Sequence, residues 1–146
     1  MTWEDAMAWC RSLGWSEDAV MAVQREAPQI AFTVPGEPVA WRRPGRRFGR
    51  YFTRPEDALH REKVRAAARN AGIRTPLTGP VRLDAVFFVS RDPLDPKVGD
   101  EDNLRKLVKD ALQGIAYRND RQVVCGWTAK VQDSQDPRTE ITVGPA

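Results

Sequence analysis

The 146-residue chain predicts one α+β domain, a mixed β-sheet with helices packed on it, behind a short N-terminal helical hairpin. Three observations carry this. Apolar residues recur at helical spacing in two long windows, about 55–70 and 103–113. Short apolar runs at 30–34, 81–89, 123–131 and 139–143 have the length and composition of strands. Read in order these give β, α, β, α, β, β. The division expected is a helical extension over 1–27 and a domain over 28–146.

In the extension, Thr2 with Asp5 three residues on is a capping-box-like start. Trp3, Met7 and Cys10, with Ala6, Trp9 and Leu13, then recur at helical spacing, and Gly14 ends the helix. Ser16 can cap a second helix carrying Ala19, Val20 and Val23, which Pro28 stops. The tryptophans at 3, 9 and 15 are expected to pack on the domain.

The first strand is Ile30 to Val34, stopped by Pro35-Gly36. Residues 37–54 follow, with 48–52 as a hairpin turn. Pro55 suits the first position of a helix that runs to about Asn70, with Leu59, Val64 and alanines 66–68 inward and Gly72 closing it. Val81 to Val89 is apolar enough to be a central strand. Pro93 and Pro96 make 91–99 a loop. From Asn103 to Gln113, Leu104, Leu107, Val108, Ala111 and Leu112 share one helical face, and Gly114 ends it. Val123–Val131 and Thr139–Val143 read as two closing strands.

Composition narrows the class. Hydrophobic residues at 41% and charged residues at 29% describe a globular domain, and no apolar run approaches the ~20 residues that span a bilayer. The start, Met1-Thr2-Trp3-Glu4-Asp5, lacks a signal-peptide pattern, so the cytoplasm is the expected compartment. Cys10, Cys125 and the one histidine, His60, cannot form a disulfide framework or a four-ligand zinc site; both cysteines are expected to be buried or half-buried.

The net charge of +3 is unevenly spread: −3 over residues 1–36, +7 over 37–74 and −1 over 75–146. Arg42, Arg43, Arg46, Arg47, Arg50 and Arg54 dominate the basic stretch, with Trp41, Phe48, Tyr51 and Phe52 interleaved. Arginine's planar fork suits phosphate oxygens, and aromatic rings suit bases, so this arm reads as a nucleic-acid contact surface.

The chemistry concentrates at Gly99-Asp100-Glu101-Asp102-Asn103-Leu104-Arg105-Lys106, with Asp120 eighteen residues after Asp102. Asp100 and Asp102, two apart in an extended lead-in, share a face. Carboxylate oxygens are the ligands Mg²⁺ takes, one or two at a time, with water and phosphate filling the rest. Lys106, four residues after Asp102, lies one turn into the helix and can meet phosphate charge. A reversal at Gly114 can carry Asp120 back toward the pair. Asp102 or Asn103 can cap the helix.

These residues closely resemble the RusA family of Holliday junction resolvases, marked by an Asp-x-Asp-Asn-Leu-x-Lys helix start, an Asp-Ala-Leu and an Asp-Asp-x-Gln-Val-Val. Here they are Asp100 to Lys106, Asp110-Ala111-Leu112 and Asn119-Asp120-Arg121-Gln122-Val123-Val124. Pro35 to Pro44 also looks like the family's basic Pro/Arg segment. The likeness covers roughly 29–143 and leaves residues 1–27 outside. It departs at Asn119, where the family has the first of two aspartates; the family's ligand is the second, here Asp120.

The resemblance implies a small homodimeric, Mg²⁺-dependent endonuclease, with Mn²⁺ as a substitute, that nicks opposed strands of four-way DNA junctions. Asp100, Asp102 and Asp120 would be its metal ligands and Lys106 its catalytic or phosphate-orienting lysine. Arg42, Arg43, Arg46, Arg47 and Arg50 are expected on DNA, as is Lys130. It also implies a bacterial or phage-infected cytoplasm, where such an enzyme serves recombination, repair or debranching of phage DNA. Two alternatives are a nuclease for forks, flaps or other branched DNA, and a non-catalytic DNA-binding protein of the same fold.

Overall fold

The structure is a computed structural model and describes residues 8–9, 11–14, 16 and 29–146. Most of the expected helical hairpin, Cys10 included, therefore lies outside the described residues. In chain order the elements are β1 (Ile30–Pro35), β2 (Gly45–Arg47), β3 (Arg50–Phe52), α1 (Pro55–Asn70), β4 (Val81–Val89), α2 (Glu101–Leu112), a 3-10 turn (Asp120–Gln122), β5 (Val123–Cys125), β6 (Thr128–Gln132) and β7 (Arg138–Pro145).

The sheet is mixed, as expected of this α+β domain. β4 lies at its centre, antiparallel to β7 on one side and parallel to β5 and β6 on the other, and β1 pairs antiparallel with the far edge of β7. Along β4, Val81, Leu83, Ala85, Phe87 and Val89 are buried and the residues between them half-buried, the period-two pattern of a strand with one face on the core. Phe32, Val34, Ile141 and Val143 complete that face; Val64 and Ala68 of α1 and Leu104, Val108, Ala111 and Leu112 of α2 pack onto it. The apolar stripe of α2 is the one its sequence spacing requires.

Parallel strands need a crossover, and α2 supplies it between β4 and β5. It therefore begins beyond the C-terminal end of β4 and returns the chain to that strand's start. There the Gln122 side chain donates to the carbonyls of Leu77 and Gly79, both at 2.9 Å, just ahead of β4. This polarity decides where the candidate site residues fall.

Three local expectations are corrected. The run 123–131 is two strands rather than one, broken at Gly126-Trp127. Gly126 has φ +128°, and a Cβ there would lie 1.8 Å from the Leu83 carbonyl oxygen, so only glycine fits. The break leaves the Leu83 carbonyl to Arg105, which donates to it and to the Thr128 hydroxyl, each at 2.8 Å. In α1, Leu59 points out, 61% exposed, and the buried stripe runs through Asp57, His60, Val64 and Ala68. Asp57, in that stripe, meets Arg42 at 2.8 Å. Cys125 is exposed rather than buried, on the short strand that ends at the Gly126 break.

Candidate active site and nucleic-acid interface

The segment leading to Asp100 is tightly tied. Asp92 accepts from the Leu94 amide at 2.8 Å and Asp95 from the Lys97 amide at 2.9 Å, two Asx-type turns in succession. The Lys97 amide holds the Asp95 carboxyl below the usual carboxylate range. From β6, the Lys130 ammonium donates to the carbonyls of Pro93 at 2.8 Å and Gly99 at 3.1 Å, spanning the loop. Gly99 has φ +87°, and a Cβ there would come within 2.6 Å of the Ala40 Cβ, so loop and arm approach closely.

Asp100 follows at the N-cap position with extended backbone, yet its side chain makes no capping hydrogen bond. Asp102 is exposed in the first turn and accepts only from the next amide, Asn103, at 2.9 Å. The capping role expected of Asp102 or Asn103 is thus not used, since Asp100 holds that position. Exposed carboxylates at a helix N-terminus, with lone pairs unspent, suit a hard cation that keeps waters of its own. The fit is to two protein carboxylates.

Asp120 is not with them. Gly114 does reverse the chain, its amide bonding the Tyr117 carbonyl at 2.7 Å, and the buried Tyr117 hydroxyl donates to the Lys109 carbonyl at 2.7 Å. Burial pushes the Tyr117 phenol well above its ordinary pKa. The chain then enters β5 at the other end of the sheet. The Asp120 amide donates to the side chain of Gln113, the residue that closes α2, at 3.2 Å. Asn119 caps the 3-10 turn in a capping box with Gln122, so the departure from paired aspartates leaves the turn intact. Among the described residues no three carboxylate, histidine or cysteine side chains come together as a metal-holding set.

Lys106 sits one turn beyond Asp102. Its ammonium lies 3.3 Å from Asp110 and 4.9 Å from the centre of the Trp41 ring. Arg61 meets Asp110 at 3.8 Å from α1. Trp41 is itself fixed, its amide donating to the Asn103 carbonyl at 2.8 Å. The pairing of Trp41 with Lys106 was not foreseeable, because the two are 65 positions apart; the only signal was an aromatic at the head of the arginine run.

The arginines of the arm divide. Arg42 donates to Asp57, 2% exposed, at 2.8 Å and to Glu56 at 3.3 Å, and so fastens the arm to α1. Arg43, Arg46, Arg47 and Arg50 are exposed, on or beside the β2–β3 ribbon. Arg46 lies over the Tyr51 ring at 5.7 Å and Arg47 over Phe48 at 5.3 Å. Lys130, expected on DNA, has its ammonium committed to the loop carbonyls. The structure thus keeps four of the expected DNA arginines free to meet phosphate.

A mixed sheet carrying an exposed carboxylate pair at a helix start, with the basic aromatic arm joined to that helix through Trp41, is equipment for acting on a nucleic-acid backbone. The family model described as endodeoxyribonuclease RusA matches residues 35–144. The chain belongs to the RusA family of endonucleases, which resolve Holliday junctions. It is also 32% identical over 135 residues to the uncharacterized protein YqaN of Bacillus subtilis (strain 168), an alignment covering 78% of this chain and 94% of that protein.

Proposed function

We propose that this protein is a Mg²⁺-dependent, homodimeric endonuclease that resolves four-way DNA junctions by paired nicks, with Mn²⁺ able to replace Mg²⁺. The observation that carries the reading is the exposed, uncapped Asp100–Asp102 pair on a chain of this family. The proposed setting is recombination, repair or debranching of phage DNA in a bacterial cytoplasm. No helix among the described residues is long and apolar enough to cross a membrane.

The division of labour follows from position. Asp100 and Asp102 would hold the cation, which when bound supplies an electrophile for the scissile phosphate and an acidic water. Lys106, aligned by Asp110 and Trp41, meets the negative charge that grows on the phosphoryl oxygens. Arg43, Arg46, Arg47 and Arg50 hold flanking phosphates, and Lys130 fixes the loop that presents Asp100.

Asp120 gives the homodimer a second purpose. One chain leaves it at the far end of α2 from Asp102. Two copies related by a two-fold, with their α2 helices antiparallel, would bring the partner's Asp120 to Asp100 and Asp102, and each copy would complete the other's site. A two-fold enzyme also matches a junction whose exchanging strands are two-fold related.

The test is strand scission of a labelled four-way junction, a fork and a linear duplex by the purified protein, each with Mg²⁺ or EDTA. Paired nicks in the junction with Mg²⁺ alone are expected. Preferential cutting of forks would assign another branched substrate, and binding without cutting would make the protein a DNA-binding module.

A further inference from the structure

Among the described residues the β2–β3 ribbon is separate from the main sheet, each strand pairing only with the other. Its turn is Phe48-Gly49, and Phe48 is 91% exposed with φ +51°. Positive φ at both Phe48 and Gly49 is what a tight two-residue hairpin turn demands, yet such turns favour asparagine, aspartate or glycine, so an aromatic residue at the first position is uncommon and costly. Burial of the ring does not offset it, because the ring is in water. At the base of the ribbon the end of the Phe52 ring instead lies against Gly45, where a Cβ would fall 2.3 Å from its Cζ. The ribbon thus holds out an apolar ring at its tip, flanked in the chain by Arg47 and Arg50, with Arg46 and Tyr51, 73% exposed, one step behind and Arg43 just before the ribbon's base.

We infer that Phe48 is a base-stacking wedge that reads the branch point of the DNA. The arginines hold phosphates on either side, and the ring enters where one base has lost its stacking neighbour. Apolar side chains do insert between base steps, but in continuous duplex the insertion costs unstacking energy. At a branch point the stack is already interrupted, so the same ring stacks without that cost. Stacking on an aromatic ring tolerates any base, since every base has a π-face. The phosphate contacts supply affinity for all DNA and the ring supplies preference for branched DNA. This inference rests on the proposal that branched DNA is the substrate, and it adds the residue that recognises the branch.

The experiment uses the full chain in EDTA, so that binding is read without cutting. Its probes are a four-way junction with 2-aminopurine at the crossover and a linear duplex with the same label. Wild type should bind the junction more tightly and change the crossover fluorescence on binding. Phe48→Ala should lose on the order of 10-fold in junction affinity, keep its duplex affinity and salt slope, and abolish the fluorescence change. Phe48→Trp should restore both. An equal loss on junction and duplex, or an unchanged junction preference in Phe48→Ala, overturns the wedge while leaving the proposed activity standing if wild type still cuts junctions. Wild type that neither prefers nor cuts junctions overturns both. The exposure of Phe48 makes misfolding a poor explanation, and an unchanged circular dichroism spectrum checks that.

Discussion

Asp102 and Asp120 stand at opposite ends of α2. Asp102 lies in the first turn, and the Asp120 amide is bound by the side chain of Gln113, which closes the helix. At 1.5 Å per residue the two are on the order of 15 Å apart along its axis. That separation follows from topology: a parallel β4–β5 pair joined by one helix must start its second strand where the first one started. It makes the second copy part of the chemistry proposed for this chain.

The arginine arm should separate into two phenotypes. Arg42→Ala removes the partner of the buried Asp57 carboxylate and is expected to cost about 1–3 kcal/mol of stability, read as a lowered denaturation midpoint. Replacing Arg43, Arg46, Arg47 and Arg50 with alanine should leave stability unchanged. That variant should weaken junction and duplex binding together. It should also flatten the slope of log affinity against log salt by up to about 0.9 for each phosphate no longer neutralised. An unaltered slope would remove these side chains from the DNA surface.

Lys130 is expected to act through the loop. Lys130→Met withdraws the donor shared by the Pro93 and Gly99 carbonyls. Amide exchange across 94–99 should then accelerate and the Mg²⁺ concentration needed for half-maximal cutting should rise several-fold, with DNA affinity in EDTA unchanged. If affinity in EDTA falls and exchange does not change, Lys130 is a DNA contact after all.

His60 should make stability depend on pH. It is 4% exposed, and burial, reinforced by Lys63 and opposed by Asp57, lowers its pKa to about 4 from 6.5. Between those values the unfolded chain binds a proton that the folded chain refuses, so stability rises with pH across that window and is fully present above it. The loss on going from pH 7.5 to about pH 4 is on the order of 3 kcal/mol at most. Denaturant titrations at pH 7.5 and 5 should show part of that fall in wild type and much less in His60→Gln. Parallel falls in both proteins would place the titration elsewhere.

Much of this was legible locally. The stripe of α2 and the limits of β4 follow from spacing alone, because each is decided by which residues share a face. The carboxylate pair was legible for the same reason, being adjacent in the chain. What was not legible depends on approach between distant segments. The break at Gly126 exists because the Leu83 carbonyl lies against it, 43 positions away. Arg42 meets Asp57, and Lys130 meets Gly99, only after the strands and helices have assembled. The sequence allows a reversal at Gly114 to carry Asp120 back toward the helix start. The turn is there, but sheet pairing claims the residues that follow it.

The most direct test of the account mixes two inactive variants. Asp102→Asn and Asp120→Asn are purified separately, combined, allowed to exchange subunits, and incubated with a labelled four-way junction and Mg²⁺. Each variant alone should bind junctions and fail to cut. In a mixed dimer one site carries both substitutions and the other carries neither, so random assortment should restore about a quarter of the wild-type sites and nick single strands. No recovery on mixing would contradict a site shared between copies, and near wild-type cutting by either variant alone would contradict the carboxylate assignment itself.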